Sequence, residues 1–433
     1  MLKINIIGAG LAGSECALYL ANKGYKVHLF DIKGKAKTPA HHSNNYAEIV
    51  CSNSFKSDDE NTASGVFKRE LTLLGCNLLK VAYKNSVPAG QALAVDRDAF
   101  SEEITNLIKY NPNIELHCEN VSYFEKDTIT ILATGPLTTP EMCNALKDKI
   151  GEDFLYFYDA AAPIVSAESI DMNKAFFCSR YDKGDADYLN CAMDREEYAN
   201  FYNELINAQT VELHEFEKNN IFESCMPIEI MAKRGVDSIR FGPLKPVGIK
   251  NPHKNDKPYA VVQLRKENKY ATMYNMVGFQ TNLTFPEQKR VFRLIPGLEN
   301  AEFLRYGVMH TNNFVNFPKC LDVYSRLKND NNIFIAGQFS GVEGYVESIA
   351  SGLYCAINVA RMLEGKELVT FSANTIIGAL YNYLINANAG NFQPINANFG
   401  ILNPIEERDK KKRYILYKER SLEEMAKIAE QIK

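Results

Sequence analysis

The chain contains no tryptophan, and its aromatic packing rests instead on 23 tyrosines and 24 phenylalanines. Its ten cysteines are scattered, with no Cys-x-x-Cys pair among them. That scatter reads as free thiols, with neither a disulfide framework nor a zinc site, and no metal site is expected. Long apolar runs are missing too. None approaches the roughly 20 residues that a spanning helix requires, so no membrane is expected. No export signal precedes the first strand pattern, since Met1-Leu2-Lys3 runs straight into it. Free thiols without an export signal fit a cytoplasmic enzyme. Charge of one sign is also lacking: 49 Lys and Arg face 53 Asp and Glu, a net charge of -4. A polyanion would therefore have to be held by a local basic patch.

At 433 residues the chain is long enough for two or three domains with sizeable cores. Lys3-Ile4-Asn5-Ile6-Ile7 reads as a buried strand, followed at once by Gly8-Ala9-Gly10-Leu11-Ala12-Gly13. A helix to Asn22 and a second strand ending at Asp31 complete a βαβ opening of the Rossmann type. Gly8 suits the tight turn, Gly10 the approach of backbone to a pyrophosphate, and Gly13 close helix packing. Asp31 is placed for a ribose hydroxyl. Strand, turn, helix, strand and acid in register make this far more specific than the glycines alone.

Two further segments belong to the same α/β fold. Thr128 to Gly135 is a strand ending in Ala-Thr-Gly, and Asn332 to Gln338 is a strand leading through Gly337, Gly341 and Gly344 into a helix from about Val346. This is the pattern of a glutathione-reductase-like FAD-binding domain split in sequence, with an α+β domain inserted. The expected division is 1–166 and 320–433 for the flavin domain, the latter with a C-terminal helical tail, and 167–319 for the insertion. Tyr345, before the late helix, is a candidate flavin contact.

From Met231 to Tyr270 ten Lys and Arg stand against three Asp and Glu. Lys233, Arg234, Arg240 and Lys245 are the candidate RNA contacts there. A second cluster, Arg408 and Lys410 to Arg413 with Tyr414 and Tyr417, reads either as a solvated helix face or as a stacking platform for unpaired bases. Two cysteines stand in polar surroundings, Cys51 and Cys225; the other eight fit buried packing. Lys233, Arg234 and Arg240 follow Cys225 closely and would lower its pKa if folded nearby. His41 and His42 are adjacent, so on a strand they would face opposite ways. Flavin or folate contact suits them better than a metal.

Several stretches carry a family resemblance in order along the chain. They are Gly8 to Glu15, Thr38-Pro39-Ala40-His41-His42, Glu48-Ile49-Val50-Cys51-Ser52-Asn53-Ser54, Ala94-Val95-Asp96-Arg97, Ser179 to Gly184, Cys225-Met226-Pro227-Ile228-Glu229, Tyr306-Gly307-Val308-Met309-His310 and Gly341 to Ser348. On these the chain resembles the TrmFO family, flavin- and folate-dependent RNA uracil-C5 methyltransferases. The resemblance implies FAD as cofactor, 5,10-methylenetetrahydrofolate as carbon donor and NADPH or NADH as reductant. It implies that Cys225 adds to C6 of uracil and that Cys51 removes the C5 proton. The implied partner is RNA: the T-loop uridine of tRNA, or alternatively a uridine of 23S rRNA. No stable protein partner is expected. A non-methylating RNA-binding flavoprotein and an NAD(P)H oxidase are the rival readings. Departures from the family pattern are Asp31 for glutamate, Ser224 for glycine and Thr311 for arginine.

Overall fold

Five short strands and one two-residue edge build the sheet on which the nucleotide turn sits. The order is Arg326–Leu327, Asp330–Ile335, Thr128–Leu132, Lys3–Ile7, Val27–Asp31 and Ile114–Cys118. All neighbours run parallel except the first pair. Every residue of Thr128–Leu132 is buried, as expected for a central parallel strand covered on both faces. The computed structural model describes residues 2–38, 40–151, 155–182, 185–211, 226–254, 257–390 and 392–432. Cys225 and Ser224 lie outside these residues, as do Pro39, Lys183 and Gly184.

The sheet draws on both ends of the chain, with Ile333 opposite Thr130 and Ile335 opposite Leu132. The helices that follow its strands do the same. Leu11–Asn22 packs against Tyr345–Leu363 so closely that a Cβ on Gly352 would lie 2.3 Å from the Ala12 carbonyl oxygen. Only glycine allows that approach. The Cys16 thiol donates to the Gly352 carbonyl at 3.0 Å, so this cysteine is packing.

A second, antiparallel sheet has the order Ala175–Phe177, Leu189–Met193, Ala260–Lys266, Met273–Met276, Ile164–Ser166, Phe303–Arg305. Helix Arg195–Asn207, opened by a capping box between Asp194 and Glu197, covers its core with helix Phe285–Phe292. Buried residues of 162–301 form this core, while 4–146 and 314–432 share the other. The chain passes between the two through paired antiparallel strands, Leu155–Ala160 and Met309–Phe314. We propose to draw the inserted domain between these strands, at about 161–308, and not at 167–319, because Ile164–Ser166 already pairs in the second sheet. No helix among the described residues is long and apolar enough to cross a membrane.

Candidate active site

The glycine turn opens a cavity lined among others by Gly8, Gly10, Asp31, Lys33, His41 and Thr134. Gly8 has φ +100, and a Cβ there would press to 2.5 Å from the Ala133 carbonyl oxygen. Gly10 has open space around it, and as N-cap of Leu11–Asn22 it offers no side chain to the first helical N–H groups. Those donors are thus left for an anion. Gly13 packs against the Gly8 carbonyl, and Ala12 lies under Gly337 and Gly352, so Ala12 supports the turn and does not line the cavity. Asp31 accepts from Ala9 N–H at 2.6 Å and Lys33 N–H at 2.8 Å. Each carboxylate oxygen keeps a second lone pair for a ribose hydroxyl. Gly135, at φ +71, follows the central strand.

His41 and His42 sit differently. His41 lines the cavity with its Nδ1 2.5 Å from the Thr38 hydroxyl, and burial, helped by Lys33, holds its pKa down at about 4. It is a neutral hydrogen-bonding group at neutral pH. His42 points its backbone N–H to Glu48 at 2.9 Å, and Glu48 is ion-paired with buried Lys33 at 2.8 Å.

Leu137 lines this cavity and also a second one, which holds Cys51, Ser52, Lys56, Gln280, Asn312, Gln338, Glu343, Gly344 and Tyr345. The Cys51 loop is clamped by residues of both domains. The Tyr345 hydroxyl accepts from Cys51 N–H at 2.7 Å and Ser52 N–H at 3.2 Å. Arg97 donates to the carbonyls of Ile49 and Val50 at 2.6 and 3.2 Å and is ion-paired with Glu267. Asn53 donates to the carbonyls of Val95 and Lys266 and accepts from Arg265 at 2.8 Å. Arg305 is mostly buried, with one bond at 3.4 Å to the Ala40 carbonyl and no partner for its Nε among the described residues. Burial and then Arg97 lower its pKa, while Cys51 acts the other way. Cys51 therefore lies in the field of two guanidinium groups.

At the floor of this cavity Lys56 bridges Glu347 at 2.8 Å and Asn396 at 2.7 Å. Glu347 is buried in the first turn of Tyr345–Leu363, and its Oε2 has no partner among the described residues. Gly344, at φ +121, leaves room for that carboxylate, since a Cβ would lie 2.2 Å from Oε2. Gln338 donates to Glu343 at 2.6 Å. Gly341, at φ +96, faces the Phe392 ring and not the cavity. The two cavities fit an FAD: an uncapped helix N-terminus and an acid in the first, a second uncapped helix N-terminus in the second, and a shared wall.

Sequence reasoning missed Arg305, Glu347, Lys56 and Gly352. None has a local signature, because each acquires its role only through partners far along the chain. The RNA candidates divide. Lys233, Arg234 and Lys245 are exposed, whereas Arg240 turns inward, donating to the Tyr259 carbonyl at 2.9 Å with its guanidinium 4.1 Å from the Tyr259 ring centre. Arg180 holds the loop ahead of Gly248 by donating to the carbonyls of Lys245 and Val247. Residues just beyond Cys225 are anchored to the second cavity: Ile228 N–H donates to the carbonyl of Gln280, which lines it. The stacking-platform reading of the C-terminal cluster fails. Tyr414 and Tyr417 pack on Phe399 at 4.6 and 5.5 Å, and Tyr417 is buried. The packing expectation for the remaining cysteines also needs correction, since Cys118 is exposed and Cys143 and Cys178 are half-buried.

The chain matches the family described as Glucose inhibited division protein A over residues 3–367. It is 56% identical to "Methylenetetrahydrofolate--tRNA-(uracil-5-)-methyltransferase TrmFO" of Acetivibrio thermocellus, covering 95% of this chain and 94% of that one. Its identity to the protein of the same name from Fusobacterium nucleatum is 55%, with 97% of each chain covered. In fold it resembles GidA of Aquifex aeolicus at a TM-score of 0.73 and 15% identity, over 99% of this chain and 73% of that one. More than half the residues are shared across nearly the full length, and the chain belongs to the TrmFO family.

Proposed function

We propose that this chain is an FAD-dependent RNA uracil-C5 methyltransferase that forms 5-methyluridine. 5,10-Methylenetetrahydrofolate is the carbon donor, NADPH or NADH the reductant, and the T-loop uridine of tRNA the target. The observation that carries the reading is the Cys51 loop, fixed by Tyr345 and Arg97 in a cavity that shares a wall with the nucleotide cavity. When bound, FAD supplies the electrons that bring a methylene-level carbon to a methyl group.

The chain's own residues do the rest. The Cys225 thiolate adds to C6 of the uracil, which makes C5 nucleophilic. Once C5 carries the new carbon, Cys51 Sγ takes the C5 proton, and the C6–S bond breaks to release Cys225. The guanidinium groups of Arg97 and Arg305 favour the thiolate form that this proton transfer needs. Exposed Lys233, Arg234 and Lys245 supply phosphate contacts on the inserted domain. Free thiols and the absence of an apolar spanning helix among the described residues support a cytoplasmic site of action.

The test is incubation of the holoenzyme with unmodified tRNA and, separately, 23S rRNA, with labelled methylenetetrahydrofolate and NADPH. Labelled 5-methyluridine in tRNA is expected. Product in rRNA alone would move the target, and reductant consumption without labelled RNA would sink the proposal in favour of an oxidase.

A further inference from the structure

At the edge of the nucleotide sheet, on the strands Val27–Asp31 and Ile114–Cys118, three metal-ligating side chains converge. Parallel pairing sets His28 opposite Glu115 and Phe30 opposite His117, so alternation brings all four to one face. His28 Nδ1 and His117 Nε2 lie 3.1 Å apart. Glu115 reaches both rings, with Oε2 3.5 Å from His28 Nδ1 and Oε1 3.5 Å from His117 Nε2. Among the described residues this is the one such group of three whose ligand atoms lie within 4.8 Å of one another.

We propose that His28, Glu115 and His117 bind a divalent transition-metal ion of the Zn²⁺ class, clipping the edge strand Ile114–Cys118 to Val27–Asp31. Tetrahedral zinc with bonds of about 2.0–2.2 Å sets its ligand atoms roughly 3.3–3.6 Å apart. The two imidazole nitrogens, 3.1 Å apart, stand close to that edge length, whereas Glu115 meets the two rings through different oxygens, so its exposed carboxylate turns to offer one oxygen to the metal. Imidazole and carboxylate donors suit Zn²⁺, Ni²⁺ and Cu²⁺ and disfavour Mg²⁺ and Ca²⁺. Scattered cysteines exclude a thiolate-based zinc motif but not this one.

The surroundings are compatible with a bound cation. The charged neighbours of His28 beyond Glu115 are Lys3 and Glu125, and these pair with each other at 2.9 Å. All three ligand side chains retain solvent access, at 25%, 66% and 28% exposure for His28, Glu115 and His117, which leaves an entry path and room for water as fourth ligand. The site also touches the cofactor cavity. Phe30 stacks on His117 with centroids 4.5 Å apart and lines the nucleotide cavity, as do Glu119 and Asn120 just past the edge strand. A metal clip here would stiffen one wall of the nucleotide cavity.

The experiment is titration calorimetry with Zn²⁺ on EDTA-treated, tag-free, FAD-loaded full chain, with a thermal melt at each end point. Wild type is expected to bind one more Zn²⁺ per chain than His28→Ala or His117→Gln, and to melt higher when loaded while the variants do not. Glu115→Gln should weaken that site about tenfold or more. Cys118→Ser should leave it intact, since that thiol turns away to the Lys33 carbonyl at 2.9 Å. Equal stoichiometry in wild type and both histidine variants would overturn the proposal, as would loss of the site in Cys118→Ser.

Discussion

Cys51 is surrounded by groups whose charges are not evenly matched. Arg97 is paired with Glu267 and Lys56 with Glu347, but Arg305 has no carboxylate partner among the described residues. Arg305→Gln is expected to slow alkylation of Cys51 by iodoacetamide at pH 7 about tenfold, read by mass spectrometry in a Cys225→Ser background. An unchanged rate would remove Arg305 from the thiol's electrostatics. Tyr345 acts through backbone: Tyr345→Phe leaves Cys51 N–H and Ser52 N–H without that acceptor. We expect methylation to fall about ten- to hundredfold with the FAD absorbance retained. At this scale legibility in sequence is split. Gly8, Gly10 and Asp31 declare themselves because their chemistry lies within one continuous strand-helix-strand unit. Arg97 and Glu267 stand 170 positions apart, so the sequence displays each residue but not the pair.

Among the elements, Glu70 shows how helices of the flavin domain are tied. Within Ala63–Leu73 it accepts from Ile376 N–H at 2.6 Å and Ile377 N–H at 3.0 Å, at the start of Ile376–Asn386. It also accepts from the Ser421 hydroxyl of Lys410–Gln431. Burial pushes its carboxyl up to about 7, against the hydrogen bonds that favour the charged form. With the folded pKa raised above the unfolded value, the native state binds more protons. Its stabilising contribution is complete below about pH 4.5 and is lost as pH rises towards 7. Denaturant melts of wild type relative to Glu70→Gln should therefore lose about 3 kcal/mol between those limits. A constant difference would contradict the assignment. Strand and helix positions were legible from periodicity, as with Thr128–Leu132 and Tyr345–Leu363. The inward turn of Tyr414 and Tyr417 was not, because charged neighbours in sequence say nothing of Phe399 across the fold.

For the whole molecule, the Cys51 loop is where the two domains meet. Asn53 bonds Val95 on one side and Lys266 and Arg265 on the other. Asn53→Ala would leave buried Arg265 Nε without this acceptor, at a cost of about 1–3 kcal/mol. A thermal melt should show that loss, and limited proteolysis should show earlier cleavage between the two cores. The split flavin domain was legible in sequence because both halves carry strand-glycine-helix patterns; the ribbon joining them was not.

That split also orders events during synthesis. Thr128–Leu132 has its neighbour Lys3–Ile7 early, but its other partner, Asp330–Ile335, is made some two hundred residues later. Until then one side of a wholly buried strand is open to the ribosome's surroundings, an adhesive edge by any measure. The inserted domain, whose core is contained within 162–301, can be complete by that point. Nascent chains stalled before residue 330 should thus carry a folded insertion, be prone to aggregate, and take up no cofactor.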